Sequence, residues 1–297
     1  MEIKPLILTT GLNGLVGSRI AADLNSEYSW HNLDLRAQVP VDITDQIQVS
    51  RAFQANPASV VIHLAAFTDV TQAWQQKGDK TGLAYRVNVL GTETIVRACN
   101  EIGAHLIYLS TAYVFDGNSA EPYEENAQVS PIEWYGQTKA WAEEVVQNQA
   151  KSWTILRIDQ PFRPDEFPKP DTAHRILNGL KNQTLPPQFT NHWFGPTYIP
   201  DLSKLISWTI NQKPQGVFHA TNNEKWSDFD FAQTIAQAGR FSQSITPGDL
   251  NNYLRSLNRP YQRMTALNSQ RIWQSANMRP TSVKDAIGQL FTTHQLD

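Results

Sequence analysis

The chain opens with a strand, a glycine loop and a helix, in that order. Lys4 to Thr9 is a short apolar run of strand length, and TTGLNGLVGSRIAADL follows it. Gly11, Gly14 and Gly17 make G-x-x-G-x-x-G, and the helix beyond carries Leu15, Ile20 and Leu24 among its apolar positions. Glycines at this spacing let the backbone turn tightly and approach a pyrophosphate, which then rests on the helix N-terminus. The strand before and the helix after are the context such a loop requires. A chain that begins this way is expected to bind a dinucleotide.

The next segments extend that reading. Trp30 to Leu35 suggests a second strand that includes Asp34, a carboxylate suited to the hydroxyls of an adenosine ribose. Arg36, two residues on, suits a 2′-phosphate instead, so NAD and NADP both remain open. In VDITD, Asp42 and Ile43 end a further segment and are placed to hold the adenine edge, while Thr44 or Asp45 caps the helix running toward Phe53. Ser59 to Leu64 is a third, buried strand ending at Ala65 and Ala66, whose small side chains let backbone lie against a cofactor. His63 sits mid-strand between apolar neighbours and reads as a core histidine. AYRVNVLGTETIVRACNEIG is a long helix with Val87, Leu90, Thr94 and Val96 near helical spacing. Asn88 interrupts its apolar face, so this amide is either locally structural or holds a water near the active strand.

The stretch from Leu106 to Lys139 carries the chemistry. Leu106 to Leu109 is an apolar strand that delivers Ser110 and Thr111 to its carboxyl end, where open α/β sheets place their ligands. After a turn-rich loop and Pro131, a helix presents Tyr135 and Lys139 four residues apart on one face. A phenol titrating at ~10 is a poor acid–base group at neutral pH, and an ammonium one turn away favours the phenolate. Thr111 would donate a hydrogen bond to a carbonyl oxygen that Tyr135 protonates during reduction.

Composition removes other classes. The 297 residues fit one large domain or two intimate lobes, and 40% hydrophobic content supports a full core. A net charge of −3 gives no electrostatic footprint for nucleic acid or an anionic membrane. The single Cys99 cannot form an internal disulfide and reads as a small core residue, which suits a reducing cytoplasm. The N-terminal run reaches the glycine loop too soon for a signal peptide, and no apolar run approaches a membrane span of ~20 residues. The histidines are scattered, without H-x-x-x-H or paired cysteines, so no metal ligands are assigned. Ser110 has no triad context and no G-x-S-x-G elbow, which disfavours hydrolase chemistry.

Taken together, TGLNGLVG, VDITD, VIHLAAFTDV, RVNVLGT, LSTAYVFDG, PYEEN, YGQTK and LRI, then FGPTYIPDL, GVFHATN and LNSQRI, resemble the extended short-chain dehydrogenase/reductase superfamily. Within it the chain is most similar to the dTDP-4-dehydrorhamnose reductases, over nearly its whole length. YVFDG and GPTYIPDL are the discriminating segments. The resemblance implies a doubly wound parallel Rossmann sheet in residues 1–160, with a return of chain near 195–222. A smaller mixed α/β substrate domain would come mainly from 161–297. It implies Thr111, Tyr135 and Lys139 as the catalytic set. Gly11, Asn13, Gly14, Leu15, Val16 and Gly17 would lie at the pyrophosphate, with Asp34, Arg36, Asp42 and Ile43 around the adenosine. Ala65, Ala66 and Thr68 would approach the middle of NAD or NADP, with Asn88 supporting and Tyr135 and Lys139 at the nicotinamide end. Thr111, Tyr113 and Gln160 would face a nucleotide-sugar substrate, and the implied reaction is hydride transfer to a 4-keto carbon. A homodimer is compatible with this reading.

Departures from that pattern bear on the sugar. Ala112 stands where the reductases usually carry aspartate, and Arg157-Ile158-Asp159-Gln160 where they read arginine, threonine, serine and tryptophan. Two other readings remain: a nucleotide-sugar epimerase, which suits Ala112 but not FDG, and a cofactor-binding regulatory subunit like the methionine adenosyltransferase β subunit. Ala112–Tyr113 replaces the Asp–Glu pair of the dehydratases. Arg259 and Arg271 are candidates for a substrate diphosphate.

Overall fold

The computed structural model describes residues 4–292. Six parallel strands form the central sheet: β1 (Leu6–Thr10), β2 (Ser29–Asn32), β3 (Val60–His63), β4 (His105–Thr111), β5 (Trp153–Ile158) and β6 (Gly216–His219). Their spatial order is β6-β5-β4-β3-β1-β2. The chain runs from β1 to β2 on one side and then crosses to β3 on the other. The crevice beyond the carboxyl ends of β1 and β3 is therefore the topological switch point where such sheets bind ligands.

The strands are apolar on both faces because each face is covered. Ile7, Val60, Ile62, Ile107, Leu156 and Ile158 point to one side. There they meet helix residues Ile20 and Leu24, and also Leu202, Leu205 and Ile206. Leu8, Val61, Leu106, Tyr108 and Ile155 point to the other and meet Phe53, Ile95, Val96, Ala142 and Val146. The alternation along β1, β3, β4 and β5 fixes which residues face which layer. β6 and the helix Ile199–Gln212 come from the second half of the chain, so that half completes both the sheet and its cover.

A second apolar cluster gathers Phe162, Ile176, Leu177, Phe194, Tyr198, Phe231, Ile235 and Ile287 beside the sheet. The helix Asp228–Ala238 packs here through Phe231 and Ile235. Among the described residues no helix is long and apolar enough to cross a membrane.

Three details differ from the sequence reading. β2 stops at Asn32, because after Leu33 donates to the Thr9 carbonyl the chain turns away. Asp34 therefore lies beyond the strand rather than in it. Ile43 packs into the core against Gly91 instead of standing open to an adenine, while Asp42 accepts from the Thr44 N–H and hydroxyl and Asp45 caps the following helix (Gln46–Ala55), as the N-cap reading has it. The long helix from Leu83 to Ile102 is interrupted by a π-turn at Arg86–Gly91, the turn that contains Asn88.

Candidate active site

The glycine loop joins β1 to the helix α1 (Leu15–Asp23). Gly11 has φ +77°, and a methyl there would sit 2.5 Å from the Ala65 nitrogen, so only glycine lets this turn lie against the end of β3. Gly14 caps α1 with no side chain on the first-turn N–H groups, and it and Asn13 are exposed. Leu15 and Val16 are half-buried at the start of α1, and Gly17 is packed into the loop beneath. An uncapped helix N-terminus behind an open glycine is a cradle that fits a pyrophosphate.

Asp34 accepts from the Gly11 N–H on one oxygen and from the Asn13 N–H at 2.9 Å on the other. The loop thus fixes the carboxylate at the edge of the crevice. Arg36 is exposed beside it, its carbonyl taking a bond from the Asn13 side chain at 3.4 Å. Ala65 and Ala66 are half-buried and Thr68 exposed, facing the crevice past β3. Ile43, by contrast, is buried in the core against Gly91.

Thr111 ends β4, and its hydroxyl accepts from the Tyr113 N–H at 3.2 Å. The Tyr135 phenol lies close by, near enough for the Thr111 hydroxyl to favour its ionised form. Tyr135 lies in the first turn of the helix α2 (Trp134–Gln149), whose N-cap Glu133 accepts from the Tyr135 and Gly136 N–H groups. Gly136 makes this approach feasible: a methyl there would lie 2.1 Å from the Tyr113 carbonyl oxygen. Tyr113 packs edge-on to Tyr135 at 5.9 Å. Thr111, Tyr113 and Tyr135 are thus brought together as the sequence led one to expect.

Lys139 differs in what it touches. Its ammonium donates to the Tyr108 hydroxyl at 2.5 Å and the Leu109 carbonyl at 2.8 Å, beneath the Thr111–Tyr135 pair. Burial lowers its pKa to about 7, against the opposing pull of Glu143. The Tyr135 phenol is pushed above its ordinary value by burial and by the Glu133 carboxylate, with the Thr111 hydroxyl opposing. The expected lowering of the phenol by the ammonium is therefore not what this arrangement produces. Desolvation of a buried phenol wins, and the lysine is held by Tyr108.

His63 is a core histidine, with Nδ1 2.6 Å from the Thr10 hydroxyl and Nε2 3.0 Å from that of Thr92. Burial takes its pKa down to about 3, so the ring is neutral. Asn88 is structural: its Oδ1 accepts from the Phe67 N–H at 2.7 Å, and its amide hydrogens go to the Phe67 carbonyl and the Thr138 hydroxyl. Thr138 in turn donates to the Tyr135 carbonyl at 2.8 Å, so Asn88 ties the post-β3 loop to the catalytic helix. Gln160 has φ +37° and its side chain accepts from the Thr172 hydroxyl. Arg259 stacks over Tyr261 at 5.2 Å, close enough to act on Tyr113 and Glu133. Arg271 stacks on Phe218 of β6 and donates to Val217, which removes it from the diphosphate candidates. Sequence reasoning missed Tyr108, Glu133, Asp159, His192 and Tyr261 as neighbours of the site; the signal for Asp159 was a carboxylate closing the apolar run of β5.

A buried threonine at a strand end, with a tyrosine and a buried lysine one helical turn apart beside it and a glycine crevice next to them, define the class of the extended short-chain dehydrogenase/reductases. A family model described as "RmlD substrate binding domain" matches residues 5–296, and the chain belongs to that family. It is 31% identical over 273 residues to the dTDP-4-dehydrorhamnose reductase of Mycolicibacterium smegmatis, covering 91% of this chain and 80% of that protein. It is 27% identical to methionine adenosyltransferase 2 subunit beta of Xenopus tropicalis, over 78% of this chain and 71% of that one. The fold matches that of the dTDP-4-dehydrorhamnose reductase from Bacillus anthracis, solved in complex with NADP. The TM-score is 0.87 at 24% identity, with 99% of each chain covered.

Proposed function

We propose that this chain is an NAD(P)H-dependent reductase acting on the 4-keto group of a nucleotide-linked 6-deoxyhexose. The observation that carries the reading is the Thr111–Tyr135 hydroxyl pair, seated over Lys139 at the carboxyl edge of the sheet. Gly11, Asn13, Gly14, Leu15, Val16 and Gly17 would hold the pyrophosphate and Asp34 the adenosine ribose, with Ala65, Ala66 and Thr68 along the middle. The bound nicotinamide cofactor supplies the hydride.

The protein's own part is to hold and move a proton. Burial and Glu133 keep the Tyr135 phenol protonated at neutral pH, the state a proton donor to a carbonyl oxygen needs. Thr111 orients the same oxygen. The phenolate that remains is stabilised by the Thr111 hydroxyl, with the Lys139 charge one turn below. Residues 161–297 would form most of the wall around the sugar. The likeness to the M. smegmatis reductase supports the substrate class, and Asp34, fixed at the crevice edge, favours NADH over a 2′-phosphorylated cofactor.

The test is to mix the protein with nucleotide-linked 4-keto deoxysugars, dTDP-4-dehydrorhamnose first, and follow NADH and NADPH absorbance. Cofactor oxidation that depends on the sugar is expected. Tight cofactor binding with no oxidation across the panel would overturn the reading in favour of a non-catalytic role.

A further inference from the structure

One carboxyl group beside Thr111 is not used by the reduction described above. Thr111 and Ile158 are the last pair of their two strands, and Ala112 and Asp159 are the residues that follow them. Asp159 is 2% exposed. Its Oδ2 accepts from the Gly195 N–H at 3.0 Å and the Thr265 hydroxyl at 2.7 Å, while Oδ1 is buried without a hydrogen-bond partner among the described residues. Buried carboxylates ordinarily find donors for both oxygens. Burial raises this one to about 7, against the hydrogen bonds from Thr265 and Gly195.

The groups around it are also incompletely paired. His192 is 1% exposed; its Nδ1 lies 2.6 Å from Asp228, and its Nε2 is buried without a partner. The His192 ring meets Tyr261 at 5.2 Å, and the Tyr113 hydroxyl lies close enough to Tyr261 to oppose the rise that burial gives its phenol. Tyr113 packs on Tyr135. Gln262 reaches the Tyr113 and Phe115 carbonyls with its nitrogen and leaves its oxygen unpartnered. Ring contacts therefore lead from the catalytic phenol to Tyr113 and from Tyr261 to the imidazole, and the Asp159 carboxyl lies near enough to act on both tyrosines. The acid and the imidazole each have one polar atom to spare.

We propose that Asp159 is the specificity-determining residue of this site, its Oδ1 accepting a hydrogen bond from a ring hydroxyl of the hexose while Thr111 and Tyr135 hold the carbonyl. This rests on the nucleotide-sugar reading above. Oδ2, anchored by Gly195 and Thr265, fixes the direction of Oδ1, and Ala112, which follows the neighbouring strand, brings no competing polar group.

Asp159→Asn is the informative change. The amide oxygen keeps the two donors on Oδ2, so the NH2 group takes the place of Oδ1 and an acceptor becomes a donor. Equilibrium binding of dTDP-glucose and its monodeoxy analogues to the NADH-loaded protein is the measurement, with thermal melting and NADH affinity as controls for folding. The wild-type protein should bind dTDP-glucose roughly 10- to 100-fold more tightly than the analogue lacking the recognised hydroxyl. In Asp159→Asn that preference should fall to about twofold or less at unchanged NADH affinity, a loss of the same order as the hydrogen bond. Asp159→Ser, which removes the carboxyl while keeping a small polar group, should lose it as well and serves if the asparagine variant does not fold. Discrimination that survives in the folded variants would overturn the role of Asp159 while leaving the reductase reading intact, and would mark Oδ1 as a group served by buried water. Failure of the wild-type protein to bind any of these nucleotide sugars would overturn the reductase reading and this proposal together.

Discussion

Gly136→Ala tests whether the seating of the catalytic helix sets the rate. The added methyl would stand 2.1 Å from the Tyr113 carbonyl oxygen and 2.8 Å from Glu133 Oε1. Ordinary contact begins near 3.4 Å, so the helix start must retreat by about 1.3 Å or the Tyr113 turn must yield by as much. Either movement separates the Tyr135 phenol from Thr111, because the two hydroxyls sit on the two segments being pushed apart. A displacement of ~1 Å at a reacting group costs roughly 100-fold in rate. Overpacking should cost about 1–3 kcal/mol of stability, offset by the ~1 kcal/mol by which alanine exceeds glycine in a helix. The assay is steady-state turnover with cofactor absorbance, alongside NADH affinity and a thermal melt. The expected result is kcat down about 100-fold, NADH affinity unchanged and a small fall in Tm. A folded variant with kcat within about twofold of wild type would show that the closeness of helix and turn is not what places the phenol.

Tyr135→Phe should keep cofactor affinity while lowering turnover by ~100- to 10,000-fold, as expected for loss of a general acid; near-normal turnover would remove the phenol from the proton transfer. Asp34→Ala should weaken NADH more than NADPH, measured by fluorescence titration, because the carboxylate held at Gly11 and Asn13 is lost. Equal losses would place the ribose elsewhere. Asp159 has its pKa raised by burial from 3.8 to about 7, so the folded protein binds more protons than the unfolded chain between those values. Its contribution therefore falls as pH rises through that window, and melting curves of Asp159→Asn should decline less between pH 5 and 7 than those of the wild type. Parallel curves would contradict the shift.

The parts of this molecule that are local in sequence were open to reading. The glycine loop, the strand that ends at Thr111 and the four-residue spacing of Tyr135 and Lys139 all depend on contacts within a few residues or on a simple period. His63 was placed correctly as a core residue because apolar neighbours flank it on the strand. The partner of Lys139 was not legible, since Tyr108 is thirty-one residues away and meets it only because β4 lies under the helix. The Asp159 neighbourhood is further from reach, being assembled from β5, residues 192–195 and residues 261–265. The helix cap at Asp45 was open to reading because it is local, whereas the packing of Ile43 on Gly91 was not, since the two are distant in sequence.

The π-turn at Arg86–Gly91 has a consequence for how this helix tolerates change. It accommodates a wide turn of the helix just where Asn88 must reach both the loop at Phe67 and the hydroxyl of Thr138. Deleting one residue there would let the helix wind regularly with its two ends still in phase, yet it would draw the Asn88 amide away from Phe67 and Thr138. The more regular protein would then have lost its grip on the segment that carries the phenol, so the irregular turn is the part of the helix least free to drift.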